Sequence, residues 1–341
     1  MIYFFLIFLI LALFSLVKTE KIKLALFYGS SIFLFLFAAF RKAGIDRDYQ
    51  GYLEYYNDIL HHSFSRVEPF FIIITQFVDK LFHNPSFVFI IYAFLGVFLK
   101  LYAINKLTTF RLLSLLIYFS NFFLLFEMTQ IRVGVAAGLL LLCIEPIREK
   151  KLGKFLILAV LATLFHYSAL IIFPLYFLKS DKLNRIVYAL LIPVSYLIFY
   201  SKWNLFFFFD YVPIPLVKIK MSSYFYNASV NNSINVFNLV HLSRLIIAFL
   251  FLWKWKLFTE INSYSIILIK IYILSLFAFV AFGSVPGFSS RISELLMIVE
   301  IILIPFLSVL LKPKYLSVPL VIGIGLTFLT FSLFYTKLLK F

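Results

Sequence analysis

The sequence predicts an all-α polytopic integral membrane protein, with about 10 full transmembrane helices plus one or two re-entrant or half-helices in a single domain, 1–341. Two observations carry this. Mean hydropathy is +1.03, with 63% hydrophobic and 13% charged residues, too apolar for a soluble chain of 341 residues. Apolar runs of 16 to 24 residues recur from end to end, without the alternating ten-residue pattern of a membrane β-barrel. One cysteine, Cys143, excludes disulfides and cysteine metal sites within the chain. The net charge of +16 is spread over short loops beside the apolar runs, which makes it an orientation signal and argues against nucleic acid as a partner.

In chain order, the runs read as spans are 2–17, 24–40, 85–104, 112–126, 131–147, 186–201, 236–252, 264–282, 292–311 and 315–335. The first has no basic residue before it and no small-residue cleavage site after it, so it reads as a retained span. Stretches 69–83 and 155–178 are ambiguous by length, and charge decides between their paths. Six connections are basic: 18–23, 106–111, 148–154, 179–185, 254–256 and 312–314. All six face the cytoplasm only if 69–83 does not cross and 155–178 enters and leaves on one side as a hairpin of two half-helices. The competing path takes 155–178 straight across and puts several later basic loops outside. Lys337 and Lys340 break the charge rule on the hairpin path.

With the hairpin, the outer segments are 41–68, 127–130, 202–235 and 283–291, of which 41–68 and 202–235 are the larger periplasmic ones. Segment 41–68 holds five of the chain's 15 acids. Its tyrosines Tyr49, Tyr52, Tyr55 and Tyr56 recur at helical spacing, which predicts an amphipathic surface helix with an aromatic stripe, seated in the membrane interface or stacked on sugar rings. Asp46-Arg47-Asp48 has the Asp-x-Asp form that can hold a divalent metal. No metal and no cofactor is predicted, and Asp46 is read as a base in an aqueous loop. Glu68 precedes Pro69 and either caps the following helix or serves as a base.

Ionisable groups inside apolar runs cost about 2.5–3.5 kcal/mol each at a helix centre, so they pair or work. In Glu127-Met-Thr-Gln130-Ile-Arg132-Val-Gly134-Val-Ala-Ala-Gly138, Thr129 is a candidate N-cap that would put Arg132 in the first helical turn, where unpaired N–H groups favour an anion. Gly134 and Gly138 allow another helix to approach closely. His166, in Phe-His-Tyr167-Ser168-Ala, falls where the hairpin would turn, either satisfied locally or acting as a base or a diphosphate ligand. Arg291 opens a late span, with Glu294 one turn on to pair with it or to bind substrate. Two arginines at two helix starts would form a diphosphate site.

The spacing of Gly-Ile-Asp46-Arg-Asp-Tyr49, Glu68-Pro-Phe-Phe, Gln130-Ile-Arg132-Val-Gly, Phe-His166-Tyr-Ser-Ala and Arg291-Ile resembles the EpsG-like polysaccharide polymerases, which include Wzy-type O-antigen polymerases. The likeness runs from about 40 to 300. Where the family often has glutamine after the motif arginine, this chain has Val133. The resemblance implies a bacterial inner-membrane glycosyltransferase with its site facing the periplasm. It would move a growing glycan from undecaprenyl diphosphate to the non-reducing end of a new lipid-linked repeat unit. Its implied partners are undecaprenyl-diphosphate-linked oligosaccharide donor and acceptor, membrane lipid, a chain-length regulator and a flippase. In these roles Arg132, Arg291 and Gln130 bind diphosphate, and Asp46, Glu68 or His166 is the base. Tyr49, Glu127, Tyr167 and Glu294 touch substrate. The alternatives are a lipid-linked oligosaccharide flippase and a membrane acyltransferase using His166.

Overall fold

The computed structural model describes residues 1–61, 67–201, 234–311, 314–336 and 338–339. Nearly all of the expected outer segment 202–235 lies outside the described residues, as do Lys312, Lys337 and Lys340. The helices are α1 Ile2–Ser15, α2 Glu20–Ala39, α3 Tyr49–Leu60, α4 Pro69–Phe82, α5 Ser86–Leu107, α6 Arg111–Thr129, α7 Ile131–Glu149 and α8 Leu152–Phe165, followed by a 3-10 helix Tyr167–Phe177. Then come α9 Arg185–Tyr200, α10 Leu239–Trp253, α11 Trp255–Ile261, α12 Ser265–Ala281, α13 Pro286–Met297, α14 Glu300–Val309 and α15 Leu316–Tyr335.

The chain is a helical membrane protein. By length and composition α2, α5, α6 and α15 can each cross a membrane, and α13 with α14 makes a fifth if taken as one broken span. α1, α8, α9, α10 and α12 are apolar but shorter. The expected single span 292–311 is therefore two helices, because the helical run starts earlier, at Pro286, and breaks at 298–299. The expected surface helix in 41–68 is α3.

Two compact units divide the chain. The first comprises Met1–Leu142 and Glu300–Phe341. At its centre lies α6, apolar on every side and buried almost throughout, with α1, α14 and α15 packed on it. α2 packs along α5, and α3 along α4. The Tyr56 hydroxyl donates to Asp79 at 2.8 Å to join that last pair, and burial and this bond push Tyr56 up to about 12. From Tyr118 on, α6 winds as a π-helix, so that the Thr129 hydroxyl donates to the Leu124 carbonyl and the Gln130 N–H to Leu125. Thr129 is thus not the cap of α7. A Cβ on Gly138 would lie 2.7 Å from Leu99 Cβ, so α7 and α5 approach as closely as the glycine spacing predicts.

In the second unit, Cys143–Val299, α12 is central, with α9 and α13 against it. Here the chain doubles back between α8 and the 3-10 helix. His166 is extended (φ −158°, ψ 127°), and the two arms lie against each other. At the base of this hairpin Lys150 Nζ donates to the Tyr176 and Leu178 carbonyls, both at 2.8 Å, and Tyr176 OH returns a bond to the Lys150 carbonyl. The arms hold 14 and 11 residues. Each is about 21–22 Å long, short of a hydrocarbon core of about 30 Å.

Candidate functional site

In the first unit the charged residues of α7 and of the segment after α2 meet beneath α3. Arg132, in the first turn of α7, forms an ion pair with Glu68 through Nη1. Glu68 has no exposed side chain, and Arg132 is 11% exposed. Pro69 starts α4 with its fixed φ, and Glu68 stands at the cap position with its side chain making no cap bond. Its carboxylate serves the arginine rather than the helix. Around the guanidinium stand Tyr55 at 5.0 Å, Phe71 at 5.4 Å and Tyr52 at 5.5 Å from ring centroid to carbon. The stripe of α3 thus turns Tyr52 and Tyr55 onto a cation, while Tyr49 and Tyr55 stay half-exposed. Arg132 Nε has no hydrogen-bond partner.

Asp46 is buried, not in an aqueous loop. Arg41 Nε donates to its carboxylate at 3.2 Å, and the Asp48 N–H donates to its other oxygen at 3.1 Å. Burial raises the Asp46 carboxyl above its ordinary value, with the Arg41 guanidinium opposing, and burial likewise lowers Arg41. Arg41 Nη1 also donates to the Glu127 backbone carbonyl at 3.1 Å, and its guanidinium lies 4.5 Å over Phe89. Tyr49 stacks on the other partner of this layer, its ring 4.8 Å from Phe89. The Asp-x-Asp tripeptide is split between partners, since Asp48 faces Arg47 at 3.7 Å. Among the described residues no three His, Cys, Asp or Glu side chains converge as a metal site would require.

Below these pairs is one that the sequence reading missed. Lys100 Nζ donates to Glu127 Oε1 at 2.6 Å, to the Gly134 carbonyl at 2.7 Å and to the Gly96 carbonyl at 3.2 Å, all buried. It lies over the Phe126 and Tyr118 rings, at 5.5 and 5.8 Å. Gly96 makes room for the Glu127 carboxylate, which would collide with any Cβ there. The signal was present: Lys100 is a lone cation with apolar sequence on both sides. Glu127 is therefore turned into the core by its lysine, and Gln130, buried, is the break between α6 and α7. Asp46, Tyr49, Glu68, Glu127 and Arg132 thus form one cluster, cross-linked by Arg41 and by Tyr52, which touches both Phe71 and Phe89.

The other candidates belong to the second unit. His166 sits at the hairpin tip, buried. The Ser168 N–H donates to its Nδ1 at 3.2 Å, and the Ser168 hydroxyl lies 2.7 Å from the same atom. With Nδ1 as acceptor, the neutral ring carries its proton on Nε2, suited to donate a bond rather than to take a proton. Tyr167 follows it, half-buried, as the first residue of the 3-10 helix. Arg291 is not at a helix start. It is the sixth residue of α13, which opens at Pro286, and is half-buried, as is Glu294 one turn on. The helix-dipole argument therefore applies to Arg132 and not to Arg291.

No curated protein and no solved structure matches the chain. The family model of the EpsG family matches residues 24–340. That match spans both units and every charged pair described above, and the chain belongs to the EpsG family.

Proposed function

We propose that this protein polymerises polysaccharide repeat units carried on a polyprenyl diphosphate, as an O-antigen or exopolysaccharide polymerase in the bacterial inner membrane with its site facing the periplasm. The EpsG family is a polysaccharide polymerase family, which supports a glycosyltransferase role. The structural observation that carries the reading is the buried Arg132–Glu68 pair under the tyrosines of α3.

In the reaction, a hydroxyl on the incoming unit attacks the anomeric carbon of the growing chain. The bond from that carbon to the diphosphate oxygen breaks, and the acceptor proton passes to a base. Charge builds on the leaving diphosphate, where a fixed cation lowers the barrier. Arg132 fits that need: its charge is preorganised by rings that cannot neutralise it, and Glu68 balances it until the diphosphate takes the carboxylate's place. Gln130, which opens α7 beside Arg132, is a further donor for phosphate oxygens. Asp46 is the proposed base, for a reason opposite to the exposed position read from sequence. Burial raises its affinity for a proton toward the range where a general base works, and a shift of Arg41 frees it. Tyr49 and Glu127 are proposed to position the sugars, Glu127 through its hold on Arg41.

Arg132→Ala is expected to abolish polymerisation, and Arg132→Lys to lose most of it, because lysine lacks the planar two-pronged fork. The measurement is glycan chain length at matched membrane abundance. Accumulation of single capped repeat units fits a polymerase. Loss of displayed units points to a flippase, full-length unacylated chains to an acyltransferase, and normal chains would reduce Arg132 to a packing residue.

A further inference from the structure

Away from the charged cluster, the first unit carries two hollows linked by one hydrogen bond, from Arg111 of one to Asn105 of the other. The first is a groove of about 360 Å³ between α2 and α5. Its walls are Tyr28, Ile32 and Phe35 on α2, at i, i+4, i+7, and Phe94, Phe98 and Tyr102 on α5, at i, i+4, i+8, spacings that keep each set on one helix face. These two helices run antiparallel here, as Phe35 meets Phe94 with ring centroids 5.9 Å apart. From Phe94 to Asn105 the groove follows α5 for about 16 Å by helical rise, close to half a hydrocarbon core of about 30 Å. That is the depth of one leaflet.

At its Asn105 end the groove becomes polar. Arg111 Nε donates to Asn105 Oδ1 at 2.6 Å, which turns the rest of the guanidinium into the second hollow, of about 510 Å³. Lys23, Ser15, Thr109 and Ser308 share that hollow with Arg111. Lys23 also pairs with the exposed Glu20 at 2.6 Å, a bond open to water and therefore cheap to exchange. An apolar trench one leaflet deep that ends at two cations and a set of hydroxyls has the chemistry of an acyl chain joined to a phosphate headgroup.

We propose that these two hollows together hold one anionic phospholipid of the bilayer, its chain along α2 and α5 and its phosphate between Arg111 and Lys23. The one-leaflet depth favours a phospholipid over a long polyprenyl chain. The site is independent of the polymerase reading. It gives two of the basic connections, 18–23 and 106–111, a common neighbourhood and a role beyond orientation.

The test uses the full chain, purified and delipidated in detergent, titrated separately with phosphatidylglycerol, phosphatidylcholine and inorganic phosphate, and read by native mass spectrometry and thermal melting. Phosphatidylglycerol is expected to bind and to raise the melting temperature, with phosphatidylcholine well behind. Arg111→Gln with Lys23→Gln is expected to weaken phosphatidylglycerol roughly 30-fold, and Lys23→Gln alone, which leaves the Arg111–Asn105 bond in place, about 5-fold. Ile32→Trp, which fills the groove from its lipid-facing side and leaves every charge, is expected to cost long-chain phosphatidylglycerol its advantage over a short-chain analogue. Equal binding of the two phospholipids, wild-type affinity in Lys23→Gln, or inorganic phosphate competing as well as the lipid would each overturn the proposal.

Discussion

Lys100 and Glu127 are 2.6 Å apart, with side chains 0% and 1% exposed, and the same ammonium holds backbone carbonyls of α5 and α7. One lysine therefore ties three helices just beneath Arg132. A charge in this position is tolerable only while its partner stays, because the low-dielectric interior offers nothing else to compensate it.

Lys100→Met or Glu127→Leu alone is expected to lower stability by about 3–5 kcal/mol, since each leaves a buried charge unpaired. The double replacement is expected to recover most of that loss. Detergent melting and membrane abundance of the three variants check it. Equal losses in the double and single variants would show that the carbonyl bonds, not charge pairing, dominate.

Gly96 is expected to reject even alanine, because its Cβ would occupy the space of the Glu127 carboxylate and push it off Lys100. Gly153→Ala, with open space around it, is the matched control and is expected to be neutral or slightly stabilising. Equal abundance of the two variants would contradict this packing.

Tyr55→Ala removes the ring nearest Arg132 and is expected to cost about 0.5–2 kcal/mol beyond lost packing, whereas Tyr55→Phe keeps the ring face and should behave as the parent. Comparison of the two in both melting and chain length separates the ring from its hydroxyl. A defect in Tyr55→Phe as large as in Tyr55→Ala would assign the role to the hydroxyl.

Asp46 makes a pH prediction. Its folded-state carboxyl binds a proton more tightly than the unfolded chain's, so this group's contribution to stability is full below the unfolded value of 3.8 and is lost as pH rises through the higher folded value. Activity that needs the carboxylate runs the other way, falling as pH drops through that folded value. Asp46→Asn is expected to flatten both dependences and to lower the rate by roughly 10²–10⁴-fold if Asp46 is the base. Paired melting and rate profiles measure it, and an unchanged acid limb in Asp46→Asn would assign that limb to another group.

The hairpin at His166 predicts that compartment reporters placed after Lys151 and after Lys182 give the same answer, because the chain returns to Lys150 at Tyr176 and Leu178. Opposite compartments would mean that the two arms separate in the membrane.

Sequence by itself determined the helical membrane class and the family, and left 155–178 open between a hairpin and a straight span. Those follow from composition, run length and local motif, which act over a few residues and survive any packing. It also marked Arg132 and Glu68, because a charge beside an apolar run is costly enough to stand out. Only the tertiary structure decided how the charges pair. Glu68 and Arg132 are 64 positions apart, and Lys100 and Glu127 are 27 apart. No spacing rule reaches that far. The tyrosine spacing of α3 was legible, but whether that face met lipid, sugar or protein depended on Arg132 lying beneath it. Likewise the placement of Asp46 in water followed from the loop's polar composition, and failed because Arg41, five residues away, folds over it and carries it into the interior.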